Sequence, residues 1–229
     1  MKSHRKSAAI IGALFLISNV TFLLGAFLFV EPVLTAPDYL TLSSANRNQV
    51  VLGALLEIVN GVAYIGIAVL VFSILRKRFE SLALWYVCFR IIEFIMQILS
   101  DLSALSIVKL GEEFVKAGAP ASSSFEIVGA FLLSQRYWAF QMVTFSLVLG
   151  AVVLYYMLYQ TNLIPRFISV WGLIAAIAVI STALMDTFGI SPGYLEFLGL
   201  LMLLNELFIG VWLIAKGFNS TEVAAVYTE

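Results

Sequence analysis

The sequence predicts an all-α integral membrane protein, a bundle of six transmembrane helices. Its 229 residues are 62% hydrophobic and only 12% charged, whereas soluble domains are about half apolar and a quarter charged. A hydrocarbon core about 30 Å thick requires about 20 apolar residues per helix, and six stretches meet that length. The loops are too short for a soluble domain, so we expect one membrane domain over residues 1–229. The predicted spans are residues 8–30, 48–75, 81–108, 136–159, 163–186 and 194–216.

The first span follows Lys2, Arg5 and Lys6, as the apolar region of a signal peptide would. It runs for 23 residues, whereas signal peptides have an apolar region of about 7 to 15 residues. No small-residue cleavage pattern precedes Glu31. We therefore expect this stretch to be retained as a transmembrane helix.

A short helix is predicted just before span two. Asp38 follows Pro37 and is a suitable N-cap for a helix that begins at Tyr39 and continues toward the span. This helix would lie at the membrane surface. It is one of the short amphipathic helices that we expect to cap the outer face, over residues 38–47.

Span four is predicted to extend beyond its apolar part. Ser123 and Glu126 form a capping box, and a helix from Ser124 to Tyr159 would be about 54 Å long at 1.5 Å per residue. Such a helix must protrude, tilt or break near residues 134–136. We expect residues 109–135 to contribute the rest of the outer cap.

Spans five and six are the simplest apolar stretches. Gly172, Ala175, Ala176 and Ala178 in span five are small residues of the kind that let membrane helices pack closely. Span six is interrupted near its centre by Asn205 and Glu206.

The distribution of basic residues predicts that both termini are cytoplasmic, because cytoplasmic loops carry the excess of Lys and Arg. Eight basic residues lie on the side of the N-terminus and three on the other side. The eight are Lys2, Arg5, Lys6, Arg76, Lys77, Arg78, Arg166 and Lys216, and the three are Arg47, Lys109 and Lys116.

Charged residues within the apolar spans indicate a functional site. Glu57, Arg90, Glu93 and Glu206 all lie near mid-membrane when 1.5 Å is counted per residue. A charge at that depth costs about 2.5 to 3.5 kcal/mol on insertion scales, so such residues face the bundle interior. One arginine cannot neutralise three carboxylates. At least one carboxylate must take up a proton, meet a cationic ligand or face trapped water.

Helical spacing extends this site to further polar residues. Residues 90, 93, 97 and 101 share one face of span three, and residues 57, 60 and 64 share one face of span two. Asp101 and Arg136 lie nearer the outer surface, where we expect them to pair as a gate. The predicted ligand-binding set is Glu57, Asn60, Arg90, Glu93, Gln97, Asn205 and Glu206.

Several chemistries are excluded by composition. Cys88 is the only cysteine and His4 the only histidine, so we expect neither a disulfide, a metal site nor a Ser-His-Asp triad inside the membrane. No basic or acidic tail indicates a nucleic-acid partner. We expect no cofactor, and the predicted partners are the lipid bilayer and a small-molecule, cation or lipid ligand.

Five blocks of sequence, taken in order, resemble an uncharacterised bacterial membrane family called domain of unknown function 4386. This resemblance implies six spans and a multi-pass protein of the bacterial cytoplasmic (inner) membrane, and it implies no activity. The blocks are Gly53-Ala54-Leu55-Leu56-Glu57, Tyr86 to Glu93, Arg136-Tyr137-Trp138-Ala139-Phe140, Pro165 to Leu173, and Asn205-Glu206 before Trp212 to Phe218.

Three functions remain open at this stage. The first is binding or transport of a small molecule, a cation, a proton or a lipid at the mid-membrane polar site. The second is an intramembrane enzyme that uses carboxylates as general acid and base on a lipid-soluble substrate. The third is an accessory protein in which Arg90 bonds Glu93 and Glu206 only to hold helices together. An apolar tunnel that opens sideways would favour the enzyme, and a water-filled vestibule would favour a carrier.

Overall fold

The computed structural model describes residues 2–120, 124–219 and 221–222, without the side chains of residues 2–4 and 196. All regular elements in these ranges are helical, which confirms the predicted all-α class. In chain order they are α1 (Lys2–Phe22), a π-helical segment (Leu23–Val30), α2 (Glu31–Leu34), α3 (Tyr39–Ala45), α4 (Arg47–Lys116), α5 (Ser124–Thr161), α6 (Arg166–Thr187), a 3-10 helix (Gly193–Leu198) and α7 (Gly199–Ala215).

Helices that could cross a membrane make up most of the molecule. Five stretches in the described ranges are long and apolar enough for this, and their outward faces carry large apolar side chains. Such faces suit a lipid environment. The five stretches are Arg5–Leu34, Arg47–Lys116, Ser124–Thr161, Arg166–Thr187 and Gly193–Ala215.

Helix α4 contains 70 residues and bends back on itself at Phe79, whose φ of -135° and ψ of 53° are not helical. A straight helix of this length would extend for about 105 Å. Instead, its first limb (residues 47–78) and second limb (residues 80–116) lie side by side and antiparallel. Glu57 thus meets Gln97, and Val50 packs with Ala104 and Ile107. The limbs correspond to the predicted spans 48–75 and 81–108, joined without a loop.

The predicted cap is only partly correct. Helix α3 is present after Asp38, although the Asp38 side chain makes no capping hydrogen bond, and Ser123 of the predicted capping box lies outside the described residues. Residues 109–135 do not form short helices, because α4 continues to Lys116 and α5 begins at Ser124. Helix α5 is not broken near residues 134–136. Leu132 and Leu133 pack against the apolar cluster around Val30 and Ile107, which keeps this extension helical.

Close backbone contacts hold the first part of the chain against its neighbours. A Cβ atom on Gly25, in the π-helical segment, would lie 2.9 Å from the carbonyl oxygen of Gly53. A Cβ atom on Gly12 in α1 would lie 2.5 Å from the carbonyl oxygen of Gly210 in α7. These glycines permit α1 and the π-helical segment to pack tightly on α7 and on the first limb of α4.

The main apolar core lies between α1, both limbs of α4, α5, α6 and α7. Phe15, Tyr86 and Tyr155 are among its fully buried side chains. The predicted close packing of α6 is confirmed, since Ala175 and Ala176 are fully buried and the Tyr155 ring lies against Gly172.

Candidate functional site

A cavity of about 530 Å³ lies beside this core, between α1, the π-helical segment, α4, α5, α6 and α7. Its walls are mainly apolar and include Phe22, Phe140 and Leu147. Pockets of this size and character are typical of small-molecule sites. Polar side chains reach the cavity from four elements, and these are Asn19, Asn60, Tyr64, Glu93, Gln97, Thr144 and Glu206.

The cavity has an apolar rim on the surface of the bundle. Phe27, Phe197 and Leu200 line it and are also 60%, 56% and 53% exposed. Phe27 belongs to the π-helical segment, whereas Phe197 lies in the 3-10 helix and Leu200 at the start of α7. The opening therefore lies between these two parts of the chain, on a face that carries large apolar side chains.

Arg90 and Glu93 form a buried ion pair at the polar end of the cavity. The Nη1 atom of Arg90 donates to Oε1 and Oε2 of Glu93 at 3.0 and 2.8 Å, and Arg90 is 1% exposed. The guanidinium carbon lies 4.3 Å from the centre of the Tyr64 ring and 5.4 Å from that of Tyr86. Two aromatic faces and one carboxylate thus replace water around the buried cation.

Glu206 has different partners from those expected. Its Oε2 atom accepts hydrogen bonds from the Tyr64 hydroxyl at 2.5 Å and from the Asn19 amide at 3.3 Å. The accessory alternative had Arg90 bonding both Glu93 and Glu206; the structure shows the pair with Glu93, and Glu206 bonds Tyr64 and Asn19 instead. Arg90 lies over the face of the Tyr64 ring, and the hydroxyl at the end of that ring takes the place next to Glu206.

These contacts leave the cavity end short of positive charge. Glu93 and Glu206 both line the cavity, and Arg90 is the cation paired with Glu93. With all three groups ionised, the net charge is -1 in a place where water is largely excluded. A proton or a cationic ligand group would restore neutrality.

A second polar cluster, which we call the Arg136 cluster, brings Glu31, Glu57, Gln97, Asp101 and Arg136 together. Arg136 Nη2 donates to Glu31 Oε1 at 2.9 Å, and Arg136 lies 3.9 Å from oxygens of both Glu57 and Asp101. The predicted Asp101–Arg136 pair is thus present at long range. We expected Glu57 to lie at the same depth as Glu206. It lies in the Arg136 cluster instead.

Gln97 connects the two clusters. Its side chain lines the cavity beside Glu93, and its amide nitrogen donates to Glu57 and to Asp101. The polar residues therefore form a row along the bundle, with the cavity at one end and Arg136 at the other.

Of the two asparagines predicted to bind ligand, one lines the cavity and the other does not. Asn60 lines the cavity, and its Oδ1 atom has no hydrogen-bond partner in the described part of the chain. Asn205 does not line the cavity; its amide donates to the carbonyl oxygen of Ile168 at 3.0 Å and joins α7 to α6.

Three residues of the site lie outside the predicted set. Asn19 is a polar residue in the middle of an apolar span, Tyr64 shares the helical face of Glu57, and Glu31 ends the first apolar stretch. The sequence shows each of them as a polar residue in or beside an apolar stretch. Its hydrogen-bond partner lies on another helix, so the sequence alone could not identify that partner. Among the described residues, no three His, Cys, Asp or Glu side chains are grouped to hold a metal ion.

Comparison with known proteins identifies the family. A family model described as "Domain of unknown function (DUF4386)" matches residues 10–217, nearly the whole chain. No curated protein and no solved structure matches. The chain therefore belongs to the DUF4386 family, as its motifs indicate.

Proposed function

We propose that this member of the DUF4386 family binds a lipid-soluble amphiphile from within the bilayer. The apolar part of the ligand would fill the cavity, and its head would meet Glu93 and Glu206. One observation carries the proposal: an apolar cavity with an exposed apolar rim ends at two buried carboxylates.

The charge at the cavity end indicates the chemistry of the ligand head. Glu93 and Glu206 share one nearby arginine, so an anionic head would add to an existing negative charge. A cationic head would bring positive charge to a site where an unpaired charge costs about 2.5 to 3.5 kcal/mol on insertion scales. We therefore expect an organic cation, with a neutral hydrogen-bond donor as a weaker ligand.

The position of the opening favours binding from the lipid over aqueous transport. Phe27, Phe197 and Leu200 would face acyl chains, so a water-soluble substrate would have to enter the hydrocarbon layer to reach this rim. A ligand that partitions into the membrane would reach it by lateral diffusion.

The membrane arrangement that we propose has six crossings, because the two limbs of α4 each exceed the roughly 20 residues that one crossing needs. The excess of Lys and Arg places both termini and Phe79 on the cytoplasmic side. The motifs of the family favour the inner membrane of a bacterium. This arrangement leaves the cavity inside the bilayer.

A binding experiment in lipid nanodiscs tests the proposal. Three probes with the same chain, hexadecyltrimethylammonium, hexadecanol and hexadecanoate, would be added to the purified protein and thermal unfolding followed. We expect the cation to raise the unfolding temperature most and hexadecanoate least, because a ligand stabilises the state that binds it.

Two variants of α5 provide the matched control. Leu147 lines the cavity, whereas Leu149, two residues away, is half exposed on the outward face. Leu147→Trp should fill the cavity and abolish the shift, and Leu149→Trp should retain it. Equal shifts with all three probes, or a shift that survives Leu147→Trp, would refute the proposal.

A second candidate is an enzyme that moves a proton on a lipid-soluble substrate. It is favoured by the sideways opening and by the 2.5 Å hydrogen bond between Tyr64 and Glu206 at the cavity wall, since a carboxylate bonded to a phenol can act as general base and acid. Deuterium incorporation from D₂O into a membrane lipid, lost in Glu206→Gln, would support this function. Absence of exchange in native membrane extracts would reject it.

A further inference from the structure

Two buried carboxyl groups outside the cavity share a single hydrogen-bond donor. Glu57 and Asp101 are 0% and 3% exposed, on the first and second limbs of α4. The amide nitrogen of Gln97 donates to Glu57 Oε2 and, at 3.3 Å, to Asp101 Oδ1. Both hydrogens of one amide group are thus directed at neighbouring carboxyl groups.

The other oxygen of each carboxyl group lacks a donor. Glu57 Oε1 and Asp101 Oδ2 have no hydrogen-bond partner among the residues that the structure describes, although the two carboxyl groups are neighbours that accept from the same amide nitrogen. Buried oxygens are rarely left without a donor. Two neighbouring ionised carboxylates also repel, and one shared proton removes both problems.

The neighbouring arginine does not neutralise these two carboxyl groups in place of a proton. Arg136 on α5 donates directly to Glu31 on α2 and to Ser100 Oγ at 3.1 Å. It approaches Glu57 and Asp101 only to 3.9 Å. The three carboxylates and one arginine would carry a net charge of -2 if all were ionised, in a largely buried site.

We propose that Glu57 and Asp101 form a proton-binding site in which the two carboxyl groups share one proton, and that Gln97 couples this proton to ligand binding in the cavity. The proton is taken from water and returned to it, and no other bond changes. The coupling rests on the proposed function, whereas the proton site does not.

The position of Gln97 determines whether the proton strengthens or weakens ligand binding. It lines the cavity and holds both carboxyl groups, so a cationic ligand beside it favours the negatively charged, proton-free pair. By linkage, loss of the proton must strengthen binding of the cation by the same factor. Ligand affinity therefore increases as the pH rises.

Infrared spectroscopy of the ligand-free protein in nanodiscs tests the proton site. A protonated buried carboxyl group has a C=O stretching band that shifts in D₂O. We expect such a band in the wild type, the loss of one component of it in both Glu57→Gln and Asp101→Asn, and the retention of that component in Glu206→Gln. Absence of the band in the wild type, or an unchanged band in either of the first two variants, would overturn the proton site.

Isotope labelling answers the same question without a substitution, in case a variant does not fold. Wild-type protein would be labelled with ¹³C at the carboxyl carbon of aspartate in one sample and of glutamate in another. A proton shared by Glu57 and Asp101 makes the band respond to both labels. A band that responds to the glutamate label alone would overturn the shared site, because Glu93 and Glu206 would explain it.

The coupling is tested by titrating hexadecyltrimethylammonium, whose charge does not change with pH, across a pH series. We expect affinity to rise by about 5-fold or more from the acid to the alkaline side. The rise should be smaller in Glu57→Gln, where only protons at Glu93 and Glu206 still compete with the cation. Binding that does not vary with pH in the wild type, or an equal rise in Glu57→Gln, would refute the coupling alone. No binding at any pH would refute the proposed function while the infrared result still decides the proton site.

Discussion

The hydroxyl group of Tyr64 lies 2.5 Å from a carboxylate oxygen of Glu206. This hydrogen bond joins the first limb of α4 to α7 at the polar end of the cavity. The face of the same Tyr64 ring lies 4.3 Å from the Arg90 guanidinium carbon. One side chain therefore positions both the cation and one of the carboxylates of the site.

Replacing Tyr64 with phenylalanine should destabilise the protein by about 1 to 3 kcal/mol, because a buried carboxylate loses a hydrogen-bond donor. The aromatic ring and its contact with Arg90 remain. Unfolding of the purified protein in mixed micelles, followed by circular dichroism, would measure the difference. Tyr156→Phe is the control, since Tyr156 is 43% exposed and its ring contact with Phe79 is kept. Equal losses in both variants would contradict the assigned role of Tyr64.

Replacing Glu93 with glutamine should be far more damaging than the same change at Glu206. Glu93→Gln removes the carboxylate that pairs with Arg90, and breaking a buried ion pair costs about 3 to 5 kcal/mol. Glu206→Gln keeps that pair and reduces the excess negative charge, so its stability should change little or increase. Thermal unfolding of the two variants, compared with wild type, measures the order. The reverse order would show that Glu206 is the main partner of Arg90.

Replacing Gly53 with alanine should weaken the packing of the π-helical segment on α4. A Cβ atom there would lie 2.5 Å from Val30 Cγ2 and 2.9 Å from the carbonyl oxygen of Gly25, and overpacking of this kind costs about 1 to 3 kcal/mol. Gly66→Ala, on the same limb, is the control because its Cβ atom meets only a side-chain end of Leu14 at 3.2 Å. That change should be neutral or stabilising, since alanine favours helix. Thermal unfolding of both variants tests this, and a harmless Gly53→Ala would argue against the close contact.

The proposed six-span topology predicts that the two ends of the second limb of α4 lie on opposite sides of the membrane. In a Cys88→Ala background, Lys109→Cys should react with an impermeant maleimide in intact cells, because Lys109 is exposed. Arg76→Cys, also exposed and close to Phe79, should react only after lysis. Labelling of both positions in intact cells would refute the topology.

Sequence patterns predicted the helices better than the contacts between them. Apolar length identified the stretches that become α1, α5, α6 and both limbs of α4, and the family motifs were confirmed. The predicted helix start at Ser124 is confirmed. The separate cap helices expected over residues 109–135 are wrong, because α4 continues to Lys116 and packing by Leu132 and Leu133 keeps this part of α5 in one long helix.

Within the candidate site, the helical rise gave an approximate depth for each polar residue, but it did not identify which residues of other helices contact it. Glu57 was expected level with Glu206, yet it lies beside Arg136, and Tyr64, two turns further along the same limb, meets Glu206. Asn205 was placed in the site by its proximity to Glu206 in sequence, but it points to α6. The cavity itself depends on how side chains from several separate helices fit together, and the pattern of any one helix does not contain this information.

The turn at Phe79 gives the second limb of α4 no freedom to slide relative to the first. A single non-helical residue joins them, so the turn fixes which residues of the two limbs lie opposite each other. Glu57 and Asp101 are each 22 residues away from Phe79. The turn therefore sets the register that brings these two carboxyl groups to the same level of the bundle.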